Sequence, residues 1–183
     1  MTRSFGTLPG GETAHLYTIC GGGLTAGISD FGATLVSLLA PDREGHLADV
    51  VLGFDTAGGY LHGSGCLGAT VGRNANRVGG SCLPVGDRRV CLTPNEGPNN
   101  LHSGPEYWFH RMWMVDRLTE SAITLALETP EGDQGFPGMG RVEVTYALAE
   151  GRLRITYQGV FDRDTVFNMT NHSYFNLAGE ERP

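Results

Sequence analysis

Residues 142–161, VEVTYALAEGRLRITYQGVF, carry the clearest structural pattern in this 183-residue chain. Apolar side chains recur at every second position on both sides of Glu150-Gly151, and a period of two is typical of a half-buried β-strand. An acidic residue followed by glycine between two such runs is typical of a tight hairpin turn. The stretch therefore predicts two antiparallel strands joined by two residues. The predicted apolar faces consist of Val142, Val144, Tyr146 and Leu148 in the first strand and of Leu153, Ile155, Tyr157 and Gly159 in the second.

Short apolar runs bounded by turn residues recur along the rest of the chain, which contains 28 glycines. No window of a dozen residues keeps a helical period without an interrupting glycine or proline. The pattern predicts an all-β fold, an antiparallel sandwich or barrel. Because we find no internal repeat and no low-complexity linker, residues 1–183 are predicted to form a single domain. The other candidate strands are residues 14–20, 24–29, 34–40, 49–53, 88–92, 108–118, 122–128 and 164–170.

Composition narrows the class of protein. The net charge of −7 leaves no basic surface for nucleic acid. No run approaches the roughly 18 apolar residues of a membrane span, and the N-terminus lacks the apolar region of a secretory signal. We therefore expect a soluble, cytoplasmic protein without a membrane partner. The cysteines form no CxxC pair, so we expect neither a zinc clamp nor a redox motif but reduced thiols packed as small apolar side chains. They are Cys20, Cys66, Cys82 and Cys91.

Three loops rich in Asn, Gly and Pro are predicted to have irregular backbone. In the first, residues 71–78, Arg73 and Arg77 enclose Asn74 and Asn76, a set of donors and acceptors that suits a ligand with many hydroxyl groups. The alternative is a surface turn with solvated arginines. No phosphate-binding GxxxxGK[ST] pattern is present.

The second and third loops, residues 93–104 and 131–138, admit functional and ordinary interpretations. His102 in the second loop is either a catalytic group or a surface or hydrogen-bonded histidine. In the third, Glu131 and Asp133 are candidate partners for an arginine or a sugar hydroxyl, unless the loop is only a proline turn. No HxH or HxxxH spacing connects the histidines, so we expect no metal site.

Residues 168–177, NMTNHSYFNL, surround His172 with amide and hydroxyl groups. A strand that only packed against a core would show an apolar residue at every second position. One interpretation is a polar network that orders a sheet edge. The other is an imidazole held in one orientation as a general acid or base, since histidine titrates near neutral pH.

The stretch N-x-T-N-H-x-Y-F-N-L resembles the active-site motif of the aldose 1-epimerases, or mutarotases. Three other stretches resemble motifs of this family in the same order: GRNANRV, NNLHSG and GDQGFPG. FGATLVSLLAPDREG and DVVLGFDT also resemble its opening strands, so that the similarity extends from about Gly21 to Gly179. Four motifs in the family's order make a chance match implausible.

The resemblance implies a large antiparallel β-sandwich that binds a free hexose such as galactose or glucose on a concave face. It implies an enzyme that interconverts the α and β anomers by acid–base opening of the ring, without cofactor or metal. It further implies that His172 protonates the ring oxygen and that His102 is a second catalytic histidine near that oxygen. The implied sugar-binding residues are Asn76, Arg77, His102, His172, Ser173 and Tyr174.

Departures from the family pattern modify these expectations. Family members have about twice this length, and their catalytic glutamate base lies far beyond the histidine motif. Glu180 and Glu181 follow the motif too closely to be that base. NNLHSG also carries a serine at a position where the family usually has glycine. We therefore expect the N-terminal portion of a mutarotase-like sandwich, with weak or no activity.

Alternatives remain open. The chain could be a non-catalytic sugar-binding module or a pseudoenzyme. It could also belong to an epimerase of a phosphorylated hexose, for which Arg73, Arg88 and Arg89 are the only candidate phosphate ligands. An incomplete sandwich leaves strand edges and an apolar face uncovered, so we expect poor solubility or self-association.

Overall fold

The structure of the protein, a computed structural model, describes residues 1–179. Two antiparallel sheets form most of it, one of five strands in the order β1-β2-β3-β4-β5 and one of four in the order β11-β12-β13-β14. Three two-stranded ladders, β6–β15, β7–β10 and β8–β9, complete it. The strands are β1 (Thr2–Thr7), β2 (Thr13–Gly21), β3 (Leu24–Ser29), β4 (Thr34–Pro41), β5 (Leu47–Asp49), β6 (Thr70–Val71), β7 (Arg77–Val78), β8 (Cys82–Val85), β9 (Arg88–Cys91), β10 (Asn100–Leu101), β11 (Met114–Leu118), β12 (Ala122–Thr129), β13 (Gly140–Ala149), β14 (Arg152–Phe161) and β15 (Thr170–Asn171).

The two larger sheets pack face to face around one apolar core. Ile19 and Ile28 of the first sheet belong to the same buried cluster as Leu125 and Val144 of the second. Trp108 lies in this cluster without any exposed surface. This arrangement confirms the predicted all-β antiparallel sandwich, because each sheet buries one face against the other.

The hairpin predicted from residues 142–161 is confirmed. β13 and β14 pair along their whole length, from Ala149↔Arg152 to Gly140↔Phe161. The two connecting residues have positive φ, 51° at Glu150 and 68° at Gly151, as a type I′ turn requires. The predicted face of β13 is buried throughout, whereas in β14 Leu153, Ile155 and Tyr157 are only partly buried and Gly159 is exposed.

Other boundaries differ from the predictions. Residues 49–53 form no continuous strand, since β5 ends at Asp49 and only Val51 makes an isolated bridge, to Phe175. Residues 108–118 begin with a 3₁₀ turn, Trp108–His110, before β11. Residues 164–170 are mostly irregular, and the single α-helix of the described residues, Ala57–His62, lay in a segment too rich in glycine to show a helical period.

The expectation that all four cysteines are reduced and packed is wrong. Cys82 and Cys91 are cross-strand partners in β8–β9, with Cα atoms 4.1 Å apart, and form a disulfide. Cys20 is an exposed thiol. Only Cys66 is a partly buried thiol, and burial raises its pKa. The pairing follows from strand register rather than from a sequence motif.

No helix within residues 1–179 is both long enough and apolar enough to cross a membrane.

Candidate active site

Two short ladders bring three sequence motifs to one place. β6 and β15 pair Val71 with Thr170, which sets the start of the first loop beside the His172 motif. β7 and β10 pair Arg77 with Leu101, which sets the end of the same loop beside His102. The result is a groove of about 610 Å³. All six candidate sugar-binding residues line it: Asn76, Arg77, His102, His172, Ser173 and Tyr174.

His102 is fixed to the first loop by its ring and by its backbone. Its Nδ1 accepts a hydrogen bond from the backbone N–H of Asn76, at 3.0 Å. Its own backbone N–H donates to the carbonyl of Asn76, also at 3.0 Å. Both residues have left-handed backbone, with φ of 56° at His102 and 65° at Asn76. Such backbone is uncommon outside glycine and clusters at functional sites.

His172 lies across the groove from His102. Their rings are nearly perpendicular, with centroids 5.4 Å apart, and the ring of Tyr174 lies 5.2 Å from that of His172. The backbone N–H of His172 donates to the carbonyl of Ala69, and its carbonyl accepts from the N–H of Gly68. Within residues 1–179 the imidazole nitrogens of His172 make no hydrogen bond, and the ring contacts those of His102 and Tyr174.

The polar side chains around His172 form hydrogen bonds mainly with backbone groups. Asn171 donates from Nδ2 to the carbonyl of Gly68 and to the hydroxyl of Tyr146, and its Oδ1 accepts from the N–H and the hydroxyl of Ser173. Asn168 donates to the carbonyl of Ala75. The structure therefore supports the edge-ordering interpretation for both asparagines, and they hold the segment that presents His172.

Tyr146 connects this segment to the core. Its hydroxyl donates to the carbonyl of Ala33 at 2.7 Å, lies 2.9 Å from the hydroxyl of Thr70 and accepts from Asn171. Complete burial raises its pKa to about 12. The tyrosine thus remains a neutral hydrogen-bonding group beneath the groove.

Arg77 is exposed and paired. Its Nε and Nη2 each lie 2.6 Å from a carboxylate oxygen of Glu96, in a bidentate arrangement. This pairing raises the pKa of Arg77 and lowers that of Glu96. Arg77 therefore keeps its charge, and its Nη1 also donates to Oδ1 of Asn76, at 3.5 Å.

Arg73, four residues earlier, is buried. Its Nη1 donates to the carbonyls of Pro137 and Gly138 and to the hydroxyl of Thr165, and its Nη2 donates to the hydroxyl of Thr129. The guanidinium carbon lies 4.6 Å from the ring centroid of Phe161. Desolvation lowers its pKa. The expectation that Arg73 is available for a phosphate is wrong, because no part of it is exposed.

The third loop supports the first rather than lining the groove. Gln134 accepts from the backbone N–H of Arg73 and donates to the carbonyl of Gly72. Asp133 accepts from Trp108 Nε1 and from Arg111. Glu131 accepts from the N–H of Gly138 and lies 3.5 Å from Arg163. Each carboxylate therefore contacts an arginine, one of the predicted partners.

Sequence reasoning assigned no role to several residues that hold the groove together. Glu96 orients Arg77, and Gln134 caps the peptide before Arg73. The buried hydroxyl of Ser103 accepts from the N–H of Asn74 and donates to its carbonyl, both at 2.9 Å. These residues lie in the second and third loops, but their partners are 19 to 61 positions away in sequence, and no local pattern identifies such contacts.

The groove combines hydrogen-bonding groups with two imidazoles of different character. Burial, then the charges of His172 and Arg77, lower the pKa of His102, against a smaller opposing effect of Glu96. The side chains suit a neutral ligand with several hydroxyl groups, and histidine suits proton transfer. Within residues 1–179, no group of three or more His, Cys, Asp or Glu residues is arranged to hold a metal ion.

Comparison with known proteins gives the family. The family model described as aldose 1-epimerase matches residues 15–182. The chain belongs to the aldose 1-epimerase family. Galactose mutarotase of Bos taurus is 37% identical over 100% of this chain, which covers 54% of the bovine protein. Aldose 1-epimerase of Escherichia coli K12 is 37% identical over 94% of the chain, which covers 51% of that protein.

Solved aldose 1-epimerase structures share the fold. An aldose epimerase homologue from C. elegans superposes with a TM-score of 0.84 and 37% identity, over 90% of this chain and 51% of that one. Galactose 1-epimerase from Lactobacillus acidophilus superposes with a TM-score of 0.82 and 26% identity, over 97% of this chain and 53% of that one. The chain thus spans about half the length of the relatives it matches.

Proposed function

We propose that the protein acts as an aldose 1-epimerase, interconverting the α and β anomers of a free hexose such as galactose or glucose in carbohydrate metabolism. The observation that carries the proposal is the convergence of Asn76, Arg77, His102 and His172 on one groove within a member of this family. Anomers interconvert when the sugar ring opens, rotates about its C1–C2 bond and closes again. Opening requires one proton to be placed on the ring oxygen and another to be removed from the C1 hydroxyl.

The groove residues divide into proton-handling and binding groups. His172, whose ring nitrogens have no partner within residues 1–179, is the proposed acid for the ring oxygen. His102 is the second histidine, near that oxygen. Asn76 and Arg77 bind sugar hydroxyls from the first loop, with Ser173 and Tyr174 beside the acid. We propose that neither a cofactor nor a metal takes part.

A second candidate function is sugar binding with little or no turnover. The observation that favours it is that none of the groove-lining residues within 1–179 is an aspartate or glutamate, whereas ring opening also needs a base. We therefore expect the 183-residue chain to bind galactose and to accelerate mutarotation weakly or not at all.

Two measurements on one preparation separate these functions. Polarimetry on freshly dissolved α-galactose gives the rate, and calorimetric titration with galactose gives the affinity. A rate above that of buffer which His172→Gln abolishes supports the enzyme and contradicts the expected inactivity of the chain. Binding that requires Asn76 and Arg77, without any such rate, supports the binding module. The matched control is His46→Gln, because His46 is exposed and contacts Asp42. Neither binding nor acceleration by a folded chain would overturn both functions.

A phosphorylated hexose is not favoured as the substrate. The buried Arg73 cannot reach it, and Arg88 and Arg89 line a different cavity, beside Gly132 and Asp162. A calorimetric comparison of galactose with galactose 1-phosphate tests this directly, and tighter binding of the phosphate would reverse the assignment.

We further propose that residues 1–183 act as a single, cytoplasmic domain that self-associates. β14 is the last strand of its sheet, and Val160 on it is 76% exposed. Phe175 and Leu177 are 56% and 84% exposed. Uncovered apolar surface at a strand edge favours pairing with another chain. Light scattering is expected to show dimers or larger species, and a stable monodisperse monomer would contradict this.

A further inference from the structure

The contact between His102 and Asn76 determines which nitrogen of the imidazole can carry hydrogen. A backbone N–H can only donate, and that of Asn76 points at His102 Nδ1 over 3.0 Å. Nδ1 must therefore accept with its lone pair, so the hydrogen of the neutral ring resides on Nε2. Protonation of His102 would place an N–H at Nδ1 against the N–H of Asn76 and break this bond.

The rest of the local structure holds the contact in place. The backbone N–H of His102 donates to the carbonyl of the same Asn76, which makes the pairing reciprocal. Ser103, with a φ of 59°, is bonded through its hydroxyl to both the N–H and the carbonyl of Asn74. We call these four hydrogen bonds the His102–Ser103 clamp.

Three charged or titratable groups lie around His102 on the groove side. Arg77 and His172 face it from the groove, and Glu96 faces it through Arg77. On its other side a smaller cavity of about 210 Å³ brings Cys66, Tyr107 and His110 near it. Burial, followed by the charges of His172 and Arg77, disfavours the imidazolium form of His102, and Glu96 opposes this only in part.

We propose that His102 acts in its neutral form as a hydrogen-bond donor, fixed by the backbone N–H of Asn76 as the Nε2–H tautomer. Nε2 of His102 has no partner within residues 1–179, so its hydrogen is free for a sugar oxygen. In this assignment His102 forms a hydrogen bond and transfers no proton, while Asn76 acts as a positioning residue through its backbone. The sugar contact rests on the proposed function, but the tautomer does not.

Nitrogen NMR of the histidine rings tests the tautomer without any sugar. In a long-range ¹H–¹⁵N correlation spectrum of the ¹⁵N-histidine chain, His102 is expected to show an unprotonated Nδ1 and a protonated Nε2. His15 is an internal reference with the opposite contact, because its Nδ1 lies 3.1 Å from the carboxylate of Asp30 and must carry hydrogen. A protonated Nδ1 at His102 overturns the proposal.

Two substitutions distinguish the role of Nδ1 of His102 from that of Nε2. His102→Asn places an acceptor near the position of Nδ1, and asparagine tolerates the left-handed backbone, so the clamp should persist while the groove donor is lost. His102→Gln reaches the position of Nε2 and leaves Asn76 without its acceptor. We expect His102→Asn to unfold at a urea concentration close to that of the wild type and to bind galactose about fivefold or more weakly. His102→Gln should unfold at lower urea.

The outcomes distinguish this inference from the proposed function. If the NMR spectrum shows the Nε2–H tautomer and galactose does not bind even the wild type, the proposed function fails and the tautomer assignment stands. If galactose binds but His102→Asn binds it as well as the wild type does, His102 is not the donor. Equal destabilisation by both substitutions would contradict the role of Asn76.

Discussion

Arg73 and Arg77 stand four residues apart in one loop, yet they occupy opposite environments. Arg73 has no exposed surface, donates to four neutral oxygens and packs against the ring of Phe161. Arg77 is exposed and binds the carboxylate of Glu96. The loop therefore has an anchored end, which joins it to the third loop, and an open end, which carries Asn76 into the groove. One arginine therefore stabilises the fold of the loop, and the other is available to a ligand.

The largest effect is expected at the anchored end. Arg73→Met keeps a long apolar chain but leaves the carbonyls of Pro137 and Gly138 and two threonine hydroxyls without their donor. Hydrogen bonds to a charged donor contribute about 1.5–3 kcal/mol each, and several of them outweigh the relief from no longer burying the charge. We expect a loss of about 3–5 kcal/mol, measured by urea unfolding, because several buried acceptors lose their donor at a cost of about 1–3 kcal/mol each.

Arg154→Met is the matched control, since Arg154 lies on the exposed face of β14. It should leave the unfolding midpoint unchanged within error. If Arg73→Met were as stable as this control, burying the guanidinium charge would cost as much free energy as its hydrogen bonds contribute. Arg73 would then not anchor the loop.

The two ends of the loop also differ in what the sequence could predict. The alternating pattern of 142–161 predicted β13, β14 and their turn because period and turn chemistry are local. The resemblance of four motifs predicted which residues would meet at the groove. Neither indicated that Arg73 would be buried and Arg77 exposed, since both arginines look alike in GRNANRV and their partners lie in distant loops. The disulfide and the irregular course of 164–170 likewise depend on tertiary register rather than on local pattern.

An intermediate effect is expected at Ser103, between the two ends. Ser103→Ala removes both hydrogen bonds to Asn74 and leaves a partly buried N–H without its acceptor, at a cost of about 1–3 kcal/mol. Ser103→Gly removes the same bonds but relieves the left-handed backbone, which costs roughly 1 kcal/mol for a residue with a side chain. Urea unfolding should therefore rank the wild type first, Ser103→Gly second and Ser103→Ala third. If Ser103→Gly unfolded at a higher urea concentration than the wild type, the hydrogen bonds of the Ser103 hydroxyl would contribute less free energy than the left-handed backbone costs.

The smallest effect on stability is expected at the open end, where the effect on binding should be largest. Arg77 and Glu96 are exposed to water, so their ion pair is screened and its loss should not move the urea midpoint measurably. Arg77→Met removes the charged donors from the groove and should weaken galactose binding roughly tenfold or more, as measured by calorimetry. Glu96→Gln keeps an acceptor for the guanidinium but removes the negative charge that orients it. Because the charged donors of Arg77 are still present, this variant should weaken galactose binding less than Arg77→Met does. If Arg77→Met were less stable than the wild type but bound galactose normally, the contrast with Arg73 would be wrong. Arg77 would then be a second anchor of the loop and not a group that contacts the sugar.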